Sequence, residues 1–144
     1  MEARPHLESA IKEYLSPILR VDGFAGSGRN FRRVVIECVH AINIQWSKWG
    51  GQFAINLGIQ PLSIPDVMGA TPDPKKITET LCEFRRRLSE TGEDQWWTYD
   101  DSIESMEAAV RSAAAVYTSV GRRLFAEFSG PSSPARHYDA SPIG

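Results

Sequence analysis

Between residues 31 and 60 apolar and polar side chains alternate in three consecutive runs, and this period of two constrains the fold more than any other feature. Alternation places successive side chains on opposite faces of a strand, so each run predicts a strand with one buried face. Gly50 and Gly51 separate the second and third runs and permit the positive φ of a tight hairpin turn. The runs therefore predict an antiparallel meander.

Helical patterns flank these runs on both sides. Apolar residues recur with helical spacing over residues 7–19, where Pro17 predicts a kink or a restart capped by Ser16. Residues 101–128 carry a longer apolar stripe, with a capping-box pattern that begins at Asp101. We therefore expect an α+β fold: an antiparallel β-meander of three to four strands packed on one face by an N-terminal helix and a long C-terminal helix.

The remaining segments have less regular patterns. Residues 61–76 contain four prolines and predict a long loop, of the kind that is usually functional or disordered in a compact domain. Residues 77–88 fit both a helix and a strand, and the pattern alone leaves the two open. Residues 129–144 are rich in Pro and Ser, so we expect a single domain over residues 1–128 followed by a flexible tail.

Composition restricts the classes of protein further. The chain has 144 residues, 42% of them hydrophobic, which suits one folded domain and excludes a disordered chain. Its net charge of -2 makes nucleic acid an unfavourable partner, and no apolar run is long enough to span a membrane. The N-terminal residues lack the layout of a signal peptide, and two cysteines are too few for a disulfide framework. We therefore expect a cytoplasmic protein.

Several sequence pieces, in order, resemble one family. They are Gly23-Phe24, residues 28–33, residues 42–58, residues 82–88 and the pair Trp96-Trp97. Over roughly residues 15–101 the chain resembles the uncharacterised bacterial domain of unknown function 4304. The resemblance implies an α+β domain and favours a strand for residues 77–88, but it implies no activity.

The first candidate site is the polar face of the predicted sheet. If the apolar set of the second and third runs faces the helices, the intervening polar side chains share the other face, and arginines from flanking strands can join them. The candidate site residues are Arg33, Asn43, Gln45, Ser47, Asn56, Arg85 and Arg87. Amides and guanidinium groups on one plane suit a peptide backbone, a carboxylate or a phosphate. The alternative is a solvated face with ordinary cross-strand hydrogen bonds.

Other kinds of site have weaker support in the sequence. Cys38, His40 and Cys82 could approach one another, but a zinc site needs a fourth ligand or a water, and buried Cys is the commoner outcome, so we expect no metal. No nucleophile or paired-carboxylate motif is present, which disfavours catalysis, and no cofactor is expected. The arginines and tryptophans that could hold a single nucleic acid strand are Arg29, Arg32, Arg33, Arg85, Arg86, Arg87, Trp46 and Trp49.

These observations favour a non-catalytic binding module whose partner is another protein. By analogy with other small acidic bacterial domains, we consider an immunity or antitoxin role. The alternative is a small enzyme or a domain that binds an anionic ligand or a nucleotide on the same Arg, Gln and Asn face. The sequence leaves the identity of the partner and the oligomeric state open.

Overall fold

The computed structural model describes residues 3–127, so the tail expected at residues 129–144 lies outside the described part of the chain. Within residues 3–127, no helix combines the length and the apolar character that a membrane span requires. The described chain runs from an N-terminal helical segment through six strands to a C-terminal helical segment.

The N-terminal helical segment passes through its proline without a break. It consists of α1 (Ala3–Ala10), a π-helical turn (Ile11–Leu15) and α2 (Ser16–Val21). Pro17 has no backbone N–H with which to bond the carbonyl four residues earlier, so the local helical pitch widens just before it. Ser16 accordingly donates its backbone N–H to the carbonyl of Ile11, and its side chain does not cap a new helix.

Six antiparallel strands form one sheet in the order β1-β2-β3-β4-β5, with β6 also paired to β4. They are β1 (Ala25–Ser27), β2 (Asn30–Val35), β3 (Cys38–Trp46), β4 (Gln52–Pro61), β5 (Phe84–Arg87) and β6 (Trp97–Thr98). The predicted meander is β2-β3-β4, and Gly50 and Gly51 both have φ near +78° in the β3–β4 turn. The predicted number of strands was too low, because strands of two or three residues are too short to show a period.

The segment whose pattern fitted both a helix and a strand contains a short helical turn followed by a strand. A 3-10 turn (Glu79–Leu81) precedes β5, which pairs with β4 from Asn56 to Ile59. After β5 the chain leaves the sheet at Ser89 and returns at β6, which pairs with Gln52 and Phe53 of the same neighbour. Residues 89–96 are therefore an excursion from one edge of the sheet.

The C-terminal helical segment forms the second layer. It consists of α3 (Ile103–Val116), a π-helical turn (Tyr117–Gly121) and α4 (Arg122–Glu127). The cap is Ser102, whose Oγ accepts the backbone N–H of Ser105, so the cap predicted at Asp101 is one residue too early. Because an N-cap side chain satisfies an otherwise unpaired N–H, this bond sets where the helix begins.

Both helical segments pack against the same face of the sheet, which we call the inner face. The main hydrophobic core joins the helices to β2, β3 and β4, and it includes Leu7, Leu15, Phe31, Ile42, Ile44, Phe53, Ile55, Val110 and Tyr117. Trp46, the last apolar residue of the second run, packs against this cluster but stays half-buried. The α+β architecture with one helical layer is therefore confirmed.

The long proline-containing loop packs against the opposite, outer face of the sheet. We call residues 62–82 the covering loop, since Leu62, Ile77 and Cys82 form a second apolar cluster with Val39 and Ala41 of β3. The loop covers one half of the outer face and leaves the half nearer the β3–β4 turn to other side chains. The covering loop is therefore part of the packed structure of the sheet.

Candidate functional site

Strand register determines which predicted site residues share the outer face. In antiparallel pairs, Cα partners point to the same side of the sheet. Asn43 pairs with Asn56, which pairs in turn with Arg87 on β5. The alternation along β3 adds Gln45 and, just past the end of the strand, Ser47 to the same face.

A chain of hydrogen-bonded amides crosses three strands on this face. Asn43 donates Nδ2–H to Asn30 Oδ1 at 3.0 Å, and Asn56 donates Nδ2–H to Asn43 Oδ1 at 3.3 Å and to Gln45 Oε1 at 2.9 Å. We call these four side chains the amide row. Asn43 and Asn56 are its buried floor, whereas Asn30 and Gln45 are half-buried and reach solvent.

One acceptor of the amide row has no hydrogen-bond partner. Asn56 is only 2% exposed, and its Oδ1 makes no hydrogen bond to any atom of residues 3–127. A buried carbonyl oxygen without a donor costs about 1–3 kcal/mol, which most folded proteins avoid. This atom is therefore the feature of the row that ordinary cross-strand bonding does not explain.

Arg87 forms the wall of the site on the β5 side. Its Nε lies 3.3 Å from Asp94 Oδ1, and its guanidinium stacks 4.8 Å from the ring centroid of Trp96. Trp96 Nε1 in turn donates to Asp94 Oδ2 at 3.1 Å, so all three side chains contact one another. Arg87 is buried, which lowers its pKa, so it joins the polar face as a largely enclosed guanidinium.

Arg85 lies on the outer face, where it is bound to the covering loop. Arg85 Nε donates to Glu79 Oε2 at 2.6 Å, with a longer bond from Nη2 to the other carboxylate oxygen. Glu79 is fully buried; burial raises the pKa of its carboxyl group, and Arg85 opposes that rise. Ser47 has a local role as well, because its Oγ accepts the backbone N–H of Trp49 in the turn.

Arg33 was predicted to join this face, and that prediction is wrong. Its Cα partner is His40, and both side chains point to the helical layer. Arg33 Nε donates to His40 Nδ1 at 3.1 Å, and its guanidinium lies over the ring of Phe24 at 4.5 Å. Arg33 has the same parity as Phe31, a core residue, but Val34 makes the run apolar on both parities, so the run did not mark the face of Arg33.

Arg33 belongs to a group on the inner face that we call the inner polar cluster. The cluster consists of Asp22, Arg33, His40, Tyr117 and Arg122. Tyr117 Oη donates to Asp22 Oδ2 at 2.6 Å, and Arg122 Nε donates to the same oxygen at 2.8 Å. Burial alone would raise the pKa of Asp22, but these two hydrogen bonds lower it. Burial and the nearby Arg33 lower the pKa of His40 to about 3.

The metal-ligand combination considered from the sequence does not assemble. Cys38 and His40 lie on the inner face, where His40 stacks on Phe125 at 4.5 Å. Cys82 packs on the outer face, against the Cα of Gly58. The sheet therefore separates Cys82 from the other two residues.

The arginines considered for nucleic acid are divided between the faces in the same way. Arg33 and Arg86 point to the inner face, whereas Arg85 and Arg87 point to the outer face and pair with carboxylates. The described residues therefore present no continuous stripe of unpaired basic side chains on which a phosphate backbone could lie.

Sequence reasoning missed four outer-face residues. Gln60 fastens the covering loop, because its Nε2 donates to the carbonyls of Pro61 and Ile64. Gly58 lets the loop approach, since a Cβ there would lie 2.8 Å from Cys82 Sγ. Asn30 and Trp96 complete the site but lie at strand ends, where no alternation marks them. The glycine within β4 was the one available signal, because glycine inside a strand often marks a close approach.

The arrangement offers hydrogen bonding rather than reactivity. Amide donors and acceptors, a buried carbonyl oxygen and a half-buried indole line the site, and the two arginines present are matched by two carboxylates. Such groups recognise amides and peptide backbones by geometry. The chemistry on this face therefore suits binding.

Comparison with known proteins matched the chain to a family model. The family model described as "Domain of unknown function (DUF4304)" matches residues 15–120, which include α2, the whole sheet and α3. No curated protein and no solved structure matched the chain.

Proposed function

The chain belongs to the DUF4304 family, and we propose that it is a non-catalytic module that binds another protein through the uncovered half of the outer face. The binding surface consists of Asn30, Asn43, Gln45, Ser47 and Asn56 with Arg87 and Trp96. The observation that carries the proposal is the amide row, which crosses three strands and ends in a buried acceptor without a partner.

The rigidity of this surface supports a binding role. The floor residues lie on β3 and β4, which pair over nine residues and hold the amides in place. Little conformational entropy is then lost when a partner binds. Trp and Arg are the residue types most enriched among energetically important interface residues, and the surface has Trp96 stacked on Arg87 at its edge.

The charges of the site favour a protein over an anionic ligand or a nucleotide. Arg85 pairs with Glu79, and Arg87 pairs with Asp94, so each guanidinium is already matched by a carboxylate. A phosphate would have to compete with both carboxylates. Neutral amide groups of a polypeptide do not compete with these carboxylates. The anionic-ligand alternative therefore ranks second.

The cellular setting is part of the proposal. Cys38 and Cys82 lie on opposite faces of the sheet and form no disulfide with each other, as suits a reducing compartment. We therefore place the binding in a bacterial cytoplasm, where an immunity or antitoxin role would have its partner. Cell fractionation with an antibody to the chain tests the location.

The proposal is tested by comparing partners of the wild-type chain and of two matched variants. Gln45→Glu keeps the acceptor that Asn56 uses but removes the Gln45 amide protons that a partner can meet. Lys12→Ala changes an exposed side chain on the opposite, helical layer. Tagged full-length chains are expressed in their native cells, purified by the tag, and the co-purifying proteins are identified and then titrated as pure components by calorimetry.

We expect a partner that binds wild type and Lys12→Ala alike and binds Gln45→Glu about tenfold or more weakly. The free energy of unfolding of Gln45→Glu should stay within about 1 kcal/mol of wild type, so the loss is not a folding defect. A partner that binds all three chains with one affinity contradicts the proposal. Displacement of that partner by inorganic phosphate favours the anionic alternative.

A further inference from the structure

The unpartnered oxygen of the amide row indicates what the partner brings to this surface. We propose that Asn56 Oδ1 accepts a neutral N–H donor, the backbone or side-chain amide of the partner polypeptide. The inference rests on the proposed function, which makes the partner a polypeptide. The kind of group that binds is argued from Asn56 itself.

The direction of the Asn56 amide is determined by its neighbours. Its Nδ2 donates to Gln45 Oε1 at 2.9 Å and to Asn43 Oδ1 at 3.3 Å, so both amide protons are used on the β3 side. With Gln45 and Asn43 in these orientations, exchanging the nitrogen and the oxygen of Asn56 would place an acceptor against two acceptors. The oxygen is therefore the atom that remains for a ligand, and a ligand must offer a donor.

The charges around Asn56 balance one another and do not favour an ionic donor. Arg87 is the register partner of Asn56 on β5, and it is matched by Asp94 at 3.3 Å. Arg85, two residues before Arg87 on β5, pairs with the buried Glu79. The two cations and two carboxylates beside the amide row leave no net charge that would attract an ammonium or guanidinium group. A carboxylate has no proton to donate, so the donor is a neutral group, and the amide N–H is the neutral donor that a polypeptide carries at nearly every residue.

The route to Asn56 Oδ1 passes the Arg87 and Trp96 pair. Trp96 is half-buried, and its side chain contacts those of Arg87 and Asp94. It lies just before β6, so its side chain can turn aside without breaking a strand pair. The indole N–H of Trp96 should report occupation of the site.

The test uses the full-length chain labelled with nitrogen-15 and four small probes. N-methylacetamide has an amide N–H, whereas N,N-dimethylacetamide has the same carbonyl and no N–H. Methylammonium and acetate supply the two ionic classes. Titrations follow the side-chain amide signals of Asn56 and the indole N–H signal of Trp96.

We expect N-methylacetamide to shift both signals in a saturable way, with the other three probes at least tenfold weaker. Equal shifts with N,N-dimethylacetamide or an ionic probe, or no shift with any probe, overturn the inference. Because Asn56→Ala removes a buried amide and can unfold the sheet, the comparison of probes on the wild-type chain carries the test.

The outcome is separable from that of the proposed function. If Gln45→Glu loses the partner while no amide probe titrates, the module binds protein and the assignment of Asn56 Oδ1 fails. If the amide probe titrates and Gln45→Glu keeps the partner, the site exists but is not the surface that binds it.

Discussion

Polar side chains cluster on both faces of the sheet, and the two clusters differ in what they connect. The inner polar cluster joins elements that are distant in the chain, since Asp22 receives hydrogen bonds from residues 95 and 100 positions later. The amide row joins neighbouring strands, and its longest link spans thirteen positions. The inner cluster is enclosed by helices and aromatic rings, whereas the amide row ends in an acceptor without a partner.

This difference separates a structural role from a binding role. Bonds between distant elements hold the helical layer to the sheet, and removing them releases that layer. Bonds between adjacent strands contribute about 0.2–1 kcal/mol each to a ladder that the backbone already holds, and they join no distant elements. Polar residues in a sheet are therefore better judged by what they connect than by their polarity.

The largest expected effect comes from removing an aromatic ring that packs against the inner polar cluster. Phe125 is fully buried and stacks on His40 at 4.5 Å. Phe125→Ala should lower the free energy of unfolding by about 3–5 kcal/mol, since it leaves a cavity at a large aromatic position. Urea denaturation measures the loss. The control is Trp49→Ala, at a residue 85% exposed in the β3–β4 turn, and equal losses for the two variants would contradict the comparison.

The pH dependence of stability should come from the inner cluster more than from the amide row. Because the pKa of His40 falls from about 6.5 in the unfolded chain to about 3, the unfolded state binds more protons between these values. Stability from this group is complete above pH 6.5 and decreases as the pH falls, by up to about 1.4 kcal/mol per pH unit. Chemical denaturation at a series of pH values measures the slope.

The matched variant for this prediction is His40→Gln, which keeps an acceptor for Arg33 Nε but does not titrate. Its free energy of unfolding should fall less steeply from pH 6.5 to pH 4.5 than that of wild type. Parallel slopes in the two proteins would show that His40 is not the titrating group.

The smallest expected change in stability tests the contrast between the covered and uncovered halves of the outer face. A Cβ at Gly58 would lie 2.8 Å from Cys82 Sγ and 3.0 Å from its Cβ, so Gly58→Ala should cost about 1–3 kcal/mol. Adding Cys82→Ala removes the nearer atom and should restore part of the loss, as measured by thermal unfolding in a double-mutant cycle. No restoration would mean that the covering loop does not limit this position.

Much of the site could be predicted from alternation, because a period of two leaves only two faces to choose from. Asn43, Gln45 and Asn56 were placed on one face in this way, and the register confirms their common side. Arg33 was misplaced because β2 carries apolar residues of both parities, Phe31 on one face and Val34 on the other. In such a strand the face is decided by pairing with β3.

The sequence by itself determined the β2-β3-β4 meander, the β3–β4 turn, the two helical segments and the common face of Asn43, Gln45 and Asn56, since all of these depend on local periodicity and turn chemistry. Only the tertiary structure decided which polar residues are buried. Arg87 and Asn56 look solvent-facing in the pattern, yet they are 7% and 2% exposed. Alternation states which side of a sheet a residue takes, but burial depends on what lies above that side. For Arg87, what lies above is the excursion that carries Asp94 and Trp96.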